Sequence, residues 1–271
     1  GIDGFTLGEK MQQGAERFGA KTEIVEVDGV HLQGPVKTVH TNEGIFEAKT
    51  VILAMGAHPR KLGIPDEVRL VGHGLHYCAA CDGMFYKDKT VVVVGGGNSA
   101  AADALLLSRI CKKVILVHRR DELRATKIYH QSLMQAENVE FQWNQMVESV
   151  IESIVADDGH DGRQGRRFSG GRNHVQITGV RLKNAATGEK QEIVCDGIFV
   201  SVGREPETRM IENQVVLDEN GYIIADESTK TNLRGVFAVG DIRTKALRQI
   251  VTATADGANA AYAVEEYLAN K

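Results

Sequence analysis

The sequence predicts an α/β protein in which one domain is inserted into another. Four runs read as a buried strand ending in glycine: TVILAMG (50–56), TVVVVGGGNSA (90–100), GIFVSVG (197–203) and GVFAVGD (235–241). Continuous Val/Ile without alternation marks strands covered on both faces, as in parallel sheets. Two of the four prolines follow two of these strands at the same offset, in GAHP (56–59) and GREP (203–206). Each marks a point where the chain leaves a sheet. Together they bracket residues 60–205 as the inserted domain, with 1–59 and 206–271 forming the host. A length of 271 residues suits two domains better than one. Two short linkers of this kind leave relative rotation possible.

Composition narrows the partners. The chain is 42% hydrophobic and 25% charged, with a net charge of -4. A mild negative charge gives no reason to expect nucleic acid or an anionic membrane as partner. No apolar run approaches the ~18 residues of a membrane span. The opening GIDGFTLGEK lacks the basic start and apolar stretch of a secretory signal. Of the four cysteines only Cys78 and Cys81 lie close together. A secreted disulfide scaffold is shorter and denser in cysteine, so a reducing, cytoplasmic compartment is expected.

Outside the strands, LGEKMQQGAERFG (7–19) has helical apolar spacing and ends in glycine. TATADGANAAYAVEEYLANK (252–271) reads as a long Ala-rich helix. DDGHDGRQGRRFSGGRNH (157–174) is polar and glycine-rich and is expected to be a mobile loop.

The inserted block carries a nucleotide motif. Residues 90–120 run strand, glycine turn, helix, strand, with the pattern G-x-G-x-x-A at Gly95, Gly97 and Ala100. Gly95 permits the tight turn, Gly97 lets the backbone approach a pyrophosphate, and Ala100 lets the helix pack on the strand. The helix-start amides near Asn98 and Ser99 point at phosphate oxygens, assisted by the helix dipole. The flanking strand and helix are what make the motif specific. An NAD enzyme places an acid at the end of the second strand. Here His118, Arg119 and Arg120 stand in that place, with Arg124 following. Guanidiniums bind a 2′-phosphate in bidentate fashion where an acid repels it, so NADPH is the expected dinucleotide.

Three readings compete for HGLHYCAACDG (73–83). A structural staple closing so short a loop contributes only about 2 kcal/mol. A zinc site could use His73, His76, Cys78 and Cys81. Zinc ligand pairs are normally separated by a dozen or more residues, however, and only Tyr77 separates these. The third reading is a redox dithiol, with Asp82 beside Cys81 as the acid that handles the thiol proton. Hydride from NADPH and a disulfide do not exchange electrons directly with ease, so a flavin is expected between them.

CAACDG, VVVVGGGNSA, HRRDELRA and GVFAVGDIRTKALRQIVTATADGANAA, in that order, resemble the bacterial-type, low-molecular-weight thioredoxin reductases. The likeness spans essentially the whole chain. It implies two Rossmann-like, three-layer domains, an NADPH domain inserted in an FAD domain, and a homodimer. It also implies electron flow from NADPH through FAD and the Cys78–Cys81 disulfide to thioredoxin. By position, Asp241 is similar to the aspartate that bonds the FAD ribityl chain. Arg248, Gln249 and Ile250 resemble the segment along the isoalloxazine edge. The family's first G-x-G-x-x-G unit does not precede residue 90 here. Residues 1–59 are therefore read as part of an incomplete FAD domain, and the chain as written is expected to bind FAD poorly and to lack reductase activity. Two alternatives stand beside the leading reading: a sister flavoenzyme serving a peroxiredoxin system, and a non-catalytic nucleotide- or zinc-binding fragment.

Overall fold

The computed structural model describes residues 2–155 and 174–270. The chain divides into two compact units, Gly1–Ala57 with Pro206–Lys271, and His58–Glu205. The short strands Ala57–Pro59 and Arg204–Pro206 pair where the chain passes from one to the other. Pro59 and Pro206 thus end paired strands instead of breaking a sheet. Of the expected loop, 157–173 lie outside the described residues, and His174 already begins a strand.

In the 58–205 unit a five-stranded sheet has the order Leu75–His76, Gly197–Val200, Thr90–Val94, Lys113–His118, Val139–Trp143. All four pairings are parallel. The valine run explains its burial. Val91 and Val93 point into one core with Ala100, Ala104 and Leu107 of helix Asn98–Ser108. Val92 and Val94 point into another, with Ile177, Val180 and Leu182 of a three-stranded antiparallel sheet. Both faces are dry, and each fully buried valine contributes roughly 1.5–3 kcal/mol over an exposed one. The unit is a three-layer sandwich of helices, parallel sheet and antiparallel sheet.

The other unit contains helix Gly4–Arg17, an antiparallel meander (Val27–His31, Lys37–Thr41, Gly44–Ala48), the parallel pair Val51–Leu53 and Val236–Ala238, and helix Ile250–Ala269. The first helix is capped by Asp3, whose carboxylate accepts from Thr6 N–H at 3.0 Å. None of its described residues is buried, although its sequence has amphipathic spacing.

A buried ion cluster holds the second half of this unit. Arg243 donates to both oxygens of Asp256, at 2.8 and 2.6 Å, and Lys245 Nζ donates to the same carboxylate at 2.7 Å. Gly240 N–H adds a fourth bond at 2.8 Å. Burial pushes the Asp256 carboxyl up, but the bonds from Arg243, Lys245 and Gly240 outweigh it and hold it at about 2. A carboxyl depressed in the folded state stabilises the fold above its unfolded value, and that stability is lost as pH falls through the folded value.

Asp256→Asn is expected to lower stability by about 3–5 kcal/mol, because buried Lys245 loses its carboxylate and buried Arg243 keeps only the exposed Glu227. In wild type, thermal melts should show Asp256's contribution intact above pH ~4 and fading toward pH ~2, a dependence the variant lacks.

Candidate active site

Parallel strands align their carboxyl ends on one edge of the sheet, the edge where ligands bind in such folds. Each expected functional segment of the 58–205 unit follows such an end. The cysteines follow Leu75–His76, the glycine turn follows Thr90–Val94, and the arginines follow Lys113–His118.

Cys78 and Cys81 are joined as a disulfide. Cys78 caps the short helix Ala79–Asp82, and Cys81 N–H donates to its sulfur at 3.2 Å. The next turn, Gly83–Tyr86, packs its glycine against Leu107, which a Cβ at 83 would approach to 2.9 Å. Met84 and Phe85, on the same turn, are 66% and 58% exposed. Asp82 is half-exposed, and its Oδ2 lies 3.1 Å from Nδ1 of His76. The second ring nitrogen of His76 lies 2.8 Å from the Tyr86 hydroxyl. His73 and His76, the two histidines a zinc reading needed, are not brought together around the sulfurs: His76 is committed to Asp82 and Tyr86, and the sulfurs to each other.

The glycine turn is shaped by close contacts. Gly95 has φ +148°, and a Cβ there would sit 2.4 Å from the Ser201 carbonyl oxygen and 2.8 Å from the Ala100 methyl. A Cβ on Gly97 would meet open space, so that glycine leaves room outside the protein. The arginine segment is tied to the turn: Arg124 and Ala125 N–H donate to Gly96 O at 2.7 and 3.1 Å, and Thr126 N–H donates to Asn98 Oδ1 at 2.7 Å. Arg119, Arg120 and Arg124 are exposed beside it, as is Ser99. His118 is buried under the turn, packed where a Gly96 Cβ would be. Burial, then the charges of Arg124, Arg120 and Arg119, holds its imidazole below the ordinary range. Its Nε2 has no hydrogen-bond partner among the described residues.

In the other unit, Asp241 sits in the turn Gly240–Ile242. Gly240 has φ +71°, and its N–H is fixed by Asp256. The half-buried Asp241 carboxylate takes no hydrogen bond from a described residue. Arg248 folds back: its guanidinium lies 3.8 Å over the Tyr222 ring and donates to the carbonyls of Asp241 and Arg243. Gln249 caps helix Ile250–Ala269 through a capping box with Thr252, and Ile250 is exposed. Sequence reading did not single out Asp256, Tyr86, Phe199, Met84 or Phe85. The burial of Asp256 and the contacts of Phe199 depend on residues distant in the chain, and no local pattern announces them.

The family described as pyridine nucleotide-disulphide oxidoreductase matches residues 6–257. The thioredoxin reductase of Treponema pallidum (strain Nichols) is 38% identical over 267 residues, which cover 98% of this chain and 80% of the relative. That of Streptomyces clavuligerus is 41% identical over 271 residues, covering 99% and 78%. Among solved structures, the thioredoxin reductase from Streptococcus pyogenes MGAS5005 superposes with a TM-score of 0.83 at 37% identity, covering 100% of this chain and 82% of that one.

The two remaining cysteines are chemically quiet. Burial, then the Asp196 charge, pushes the Cys111 thiol up to about 11 and the Cys195 thiol up to about 12. Iodoacetamide at pH 8 is expected to leave the oxidised native protein unlabelled and, after dithiothreitol, to label Cys78 and Cys81 alone, as peptide mass mapping would show. Labelling of Cys111 or Cys195 in the folded protein would contradict their burial.

Proposed function

The chain belongs to the pyridine nucleotide-disulphide oxidoreductases and, within them, to the bacterial-type thioredoxin reductases, and from that premise we propose which of its residues carry the reaction. The enzyme is an NADPH-dependent, FAD-containing reductase that acts on thioredoxin. The observation that carries the assignment is the closed Cys78–Cys81 disulfide, placed on the same sheet edge as the glycine turn and the arginines. When bound, FAD would supply the two-electron chemistry that links NADPH to a disulfide.

The residues present fit NADPH, and they fit FAD in part. For NADPH, Gly97 leaves the turn open and the Asn98 and Ser99 amides head a helix of 11 residues, an anion-binding arrangement. Gly95 sets the turn, and His118 supports it from below. Arg119, Arg120 and Arg124 are hydrogen-bonding cations suited to the 2′-phosphate. For FAD, Asp241 offers a half-buried acceptor on a turn anchored by Asp256, suited to polyol hydroxyls. Arg248, Gln249 and Ile250 form the segment leading from that turn into the long helix. The likeness to known reductases supports assigning 1–59 and 206–271 to FAD and 60–205 to NADPH.

The protein's own part in the exchange is thiol chemistry. Once the pair is reduced, one thiolate of Cys78 or Cys81 attacks the disulfide of thioredoxin, and the second displaces the mixed disulfide. Asp82, adjoining Cys81, moves the proton that each thiol gives up or regains. Met84 and Phe85 offer apolar contact area beside the disulfide for the incoming protein. Helix Ile250–Ala269 leaves Val251 and Tyr262 exposed, a surface that suits a homodimer. No described helix is long and apolar enough to cross a membrane, and a cytoplasmic location accords with cysteines that cycle in a reducing compartment.

The test is NADPH-dependent reduction of thioredoxin by the chain with FAD supplied, and activity there would overturn the expectation that the chain as written is inactive. Cys78→Ser or Cys81→Ser should abolish it. Arg119→Ala with Arg120→Ala should raise KM for NADPH by roughly 10–100-fold, as expected for lost charge-assisted bonds, and leave KM for NADH nearly unchanged. Equal effects on both dinucleotides would remove the arginines from the 2′-phosphate site.

A further inference from the structure

His76 is a buried titratable side chain beside the disulfide that the reaction above does not use. It is 6% exposed and stands two positions before Cys78. Its strand pairs with Gly197–Val200 in a register that sets His76 beside Phe199. The two rings stack, with centroids 5.3 Å apart and planes at 27°. Gly197, two residues earlier on that strand, carries no side chain and so admits Tyr86; a Cβ there would come within 2.2 Å of the phenol ring. Tyr86 meets Phe199 edge-on at 5.4 Å and His76 edge-on at 5.3 Å. The imidazole is therefore fixed in plane by a neighbouring strand and in azimuth by two polar partners. Its Nδ1 lies 3.1 Å from Asp82 Oδ2 and its Nε2 2.8 Å from the Tyr86 hydroxyl. The charged and titratable groups around it among the described residues include Asp82 and Tyr86, and the Lys89 ammonium lies 5.7 Å from the centroid of the Tyr86 ring. The adjoining strand contributes the uncharged Phe199.

This arrangement tolerates a change of charge. A phenol hydroxyl both donates and accepts, whereas each imidazole nitrogen does one or the other. With neutral His76, Nδ1–H donates to Asp82 and Nε2 accepts from the Tyr86 O–H. With the imidazolium, both nitrogens donate and the Tyr86 oxygen accepts. Both states keep a hydrogen bond between the same two pairs of heavy atoms, so taking up or giving up a proton breaks neither contact of the imidazole.

We propose that His76 is a positioning residue that acts through Asp82, holding its carboxyl against the CxxC turn and sharing its proton, so that the His76–Asp82 pair is the proton store of the disulfide exchange. The proposal rests on the reading of Asp82 as the acid. When a thiolate opens Cys78–Cys81, it forms a new sulfur–sulfur bond to one cysteine, and the electron pair of the broken bond departs on the other as thiolate. The pair gives that thiolate a proton, passing from imidazolium–carboxylate to neutral imidazole–carboxylate, and solvent returns the proton. A carboxyl alone is mostly deprotonated at neutral pH, whereas an imidazole titrates there, which is why the pair serves better than Asp82 by itself.

The experiment follows the opening of the disulfide in the full oxidised chain by dithiothreitol, read by thiol alkylation and mass spectrometry from pH 5 to 9. This readout does not depend on flavin. The variants are His76→Phe, which keeps a ring on Phe199, Asp82→Asn, and the two combined. Each single variant is expected to slow opening at neutral pH by roughly 10–100-fold, and the double variant to be no slower than Asp82→Asn alone. The inflection in the imidazole range should be present in wild type and absent from all three. His76→Asn keeps a donor for Asp82 without titrating. It should recover much of the rate without the inflection, and it is decisive if His76→Phe does not fold by circular dichroism. A wild-type rate and profile in His76→Phe, effects that multiply in the double variant, or a wild-type inflection in His76→Asn would each overturn the proposal. A wild-type rate in Asp82→Asn is a separate outcome: it removes Asp82 as the acid, and the proposal with it.

Discussion

Burial of the parallel sheet on both faces is the constraint from which the chemistry of the 58–205 unit follows. Val91 and Val93 fill one core while Val92 and Val94 fill the other, so the strands offer no free face on which to mount reactive groups. What is left is the edge where the strands end. Four adjacent parallel strands, ending at His76, Val200, Val94 and His118, deliver their chain exits to that edge. The disulfide, the glycine turn and the arginines occupy these exits. Their proximity needs no interaction among themselves; it is inherited from the hydrophobic pattern of the strands.

Polar burial does the finer adjustment. Glu67, itself buried, accepts from the Leu62 and Gly63 amides and from the Tyr77 hydroxyl, anchoring the stretch that leads into the redox segment. In the other unit Asp256 plays the same part for the turn that carries Asp241. In both cases a carboxylate with several donors organises main chain by accepting from its amides.

How much of this was legible in the sequence depended on whether the physics was local. The glycine turn was legible because φ at Gly95 and the open space at Gly97 are demands on single residues. The two units were legible because GAHP and GREP repeat one strand-to-proline offset, although the prolines turn out to end paired strands. Cys78, Cys81 and Asp82 were legible from spacing and from likeness to a family. The role of His76 was not. Its sequence neighbours suggested a metal ligand, and its actual partners include Phe199, brought beside it by strand register. Arg248 and Gln249 were read only as a segment, and the Arg248 side chain turns out to be spent on the Tyr222 ring and two carbonyls. Side-chain direction of that kind is decided by tertiary contacts that no periodicity reports.

The bare main chain at Gly197 has a reach out of proportion to its size. Tyr86 lies where any side chain at 197 would go, and Tyr86 is the far partner of the imidazole. An inherited substitution at this glycine would therefore present as impaired thiol exchange while leaving the CxxC motif, both nucleotide segments and the acid untouched in sequence. The vulnerability of the redox segment is written on a strand far along the chain.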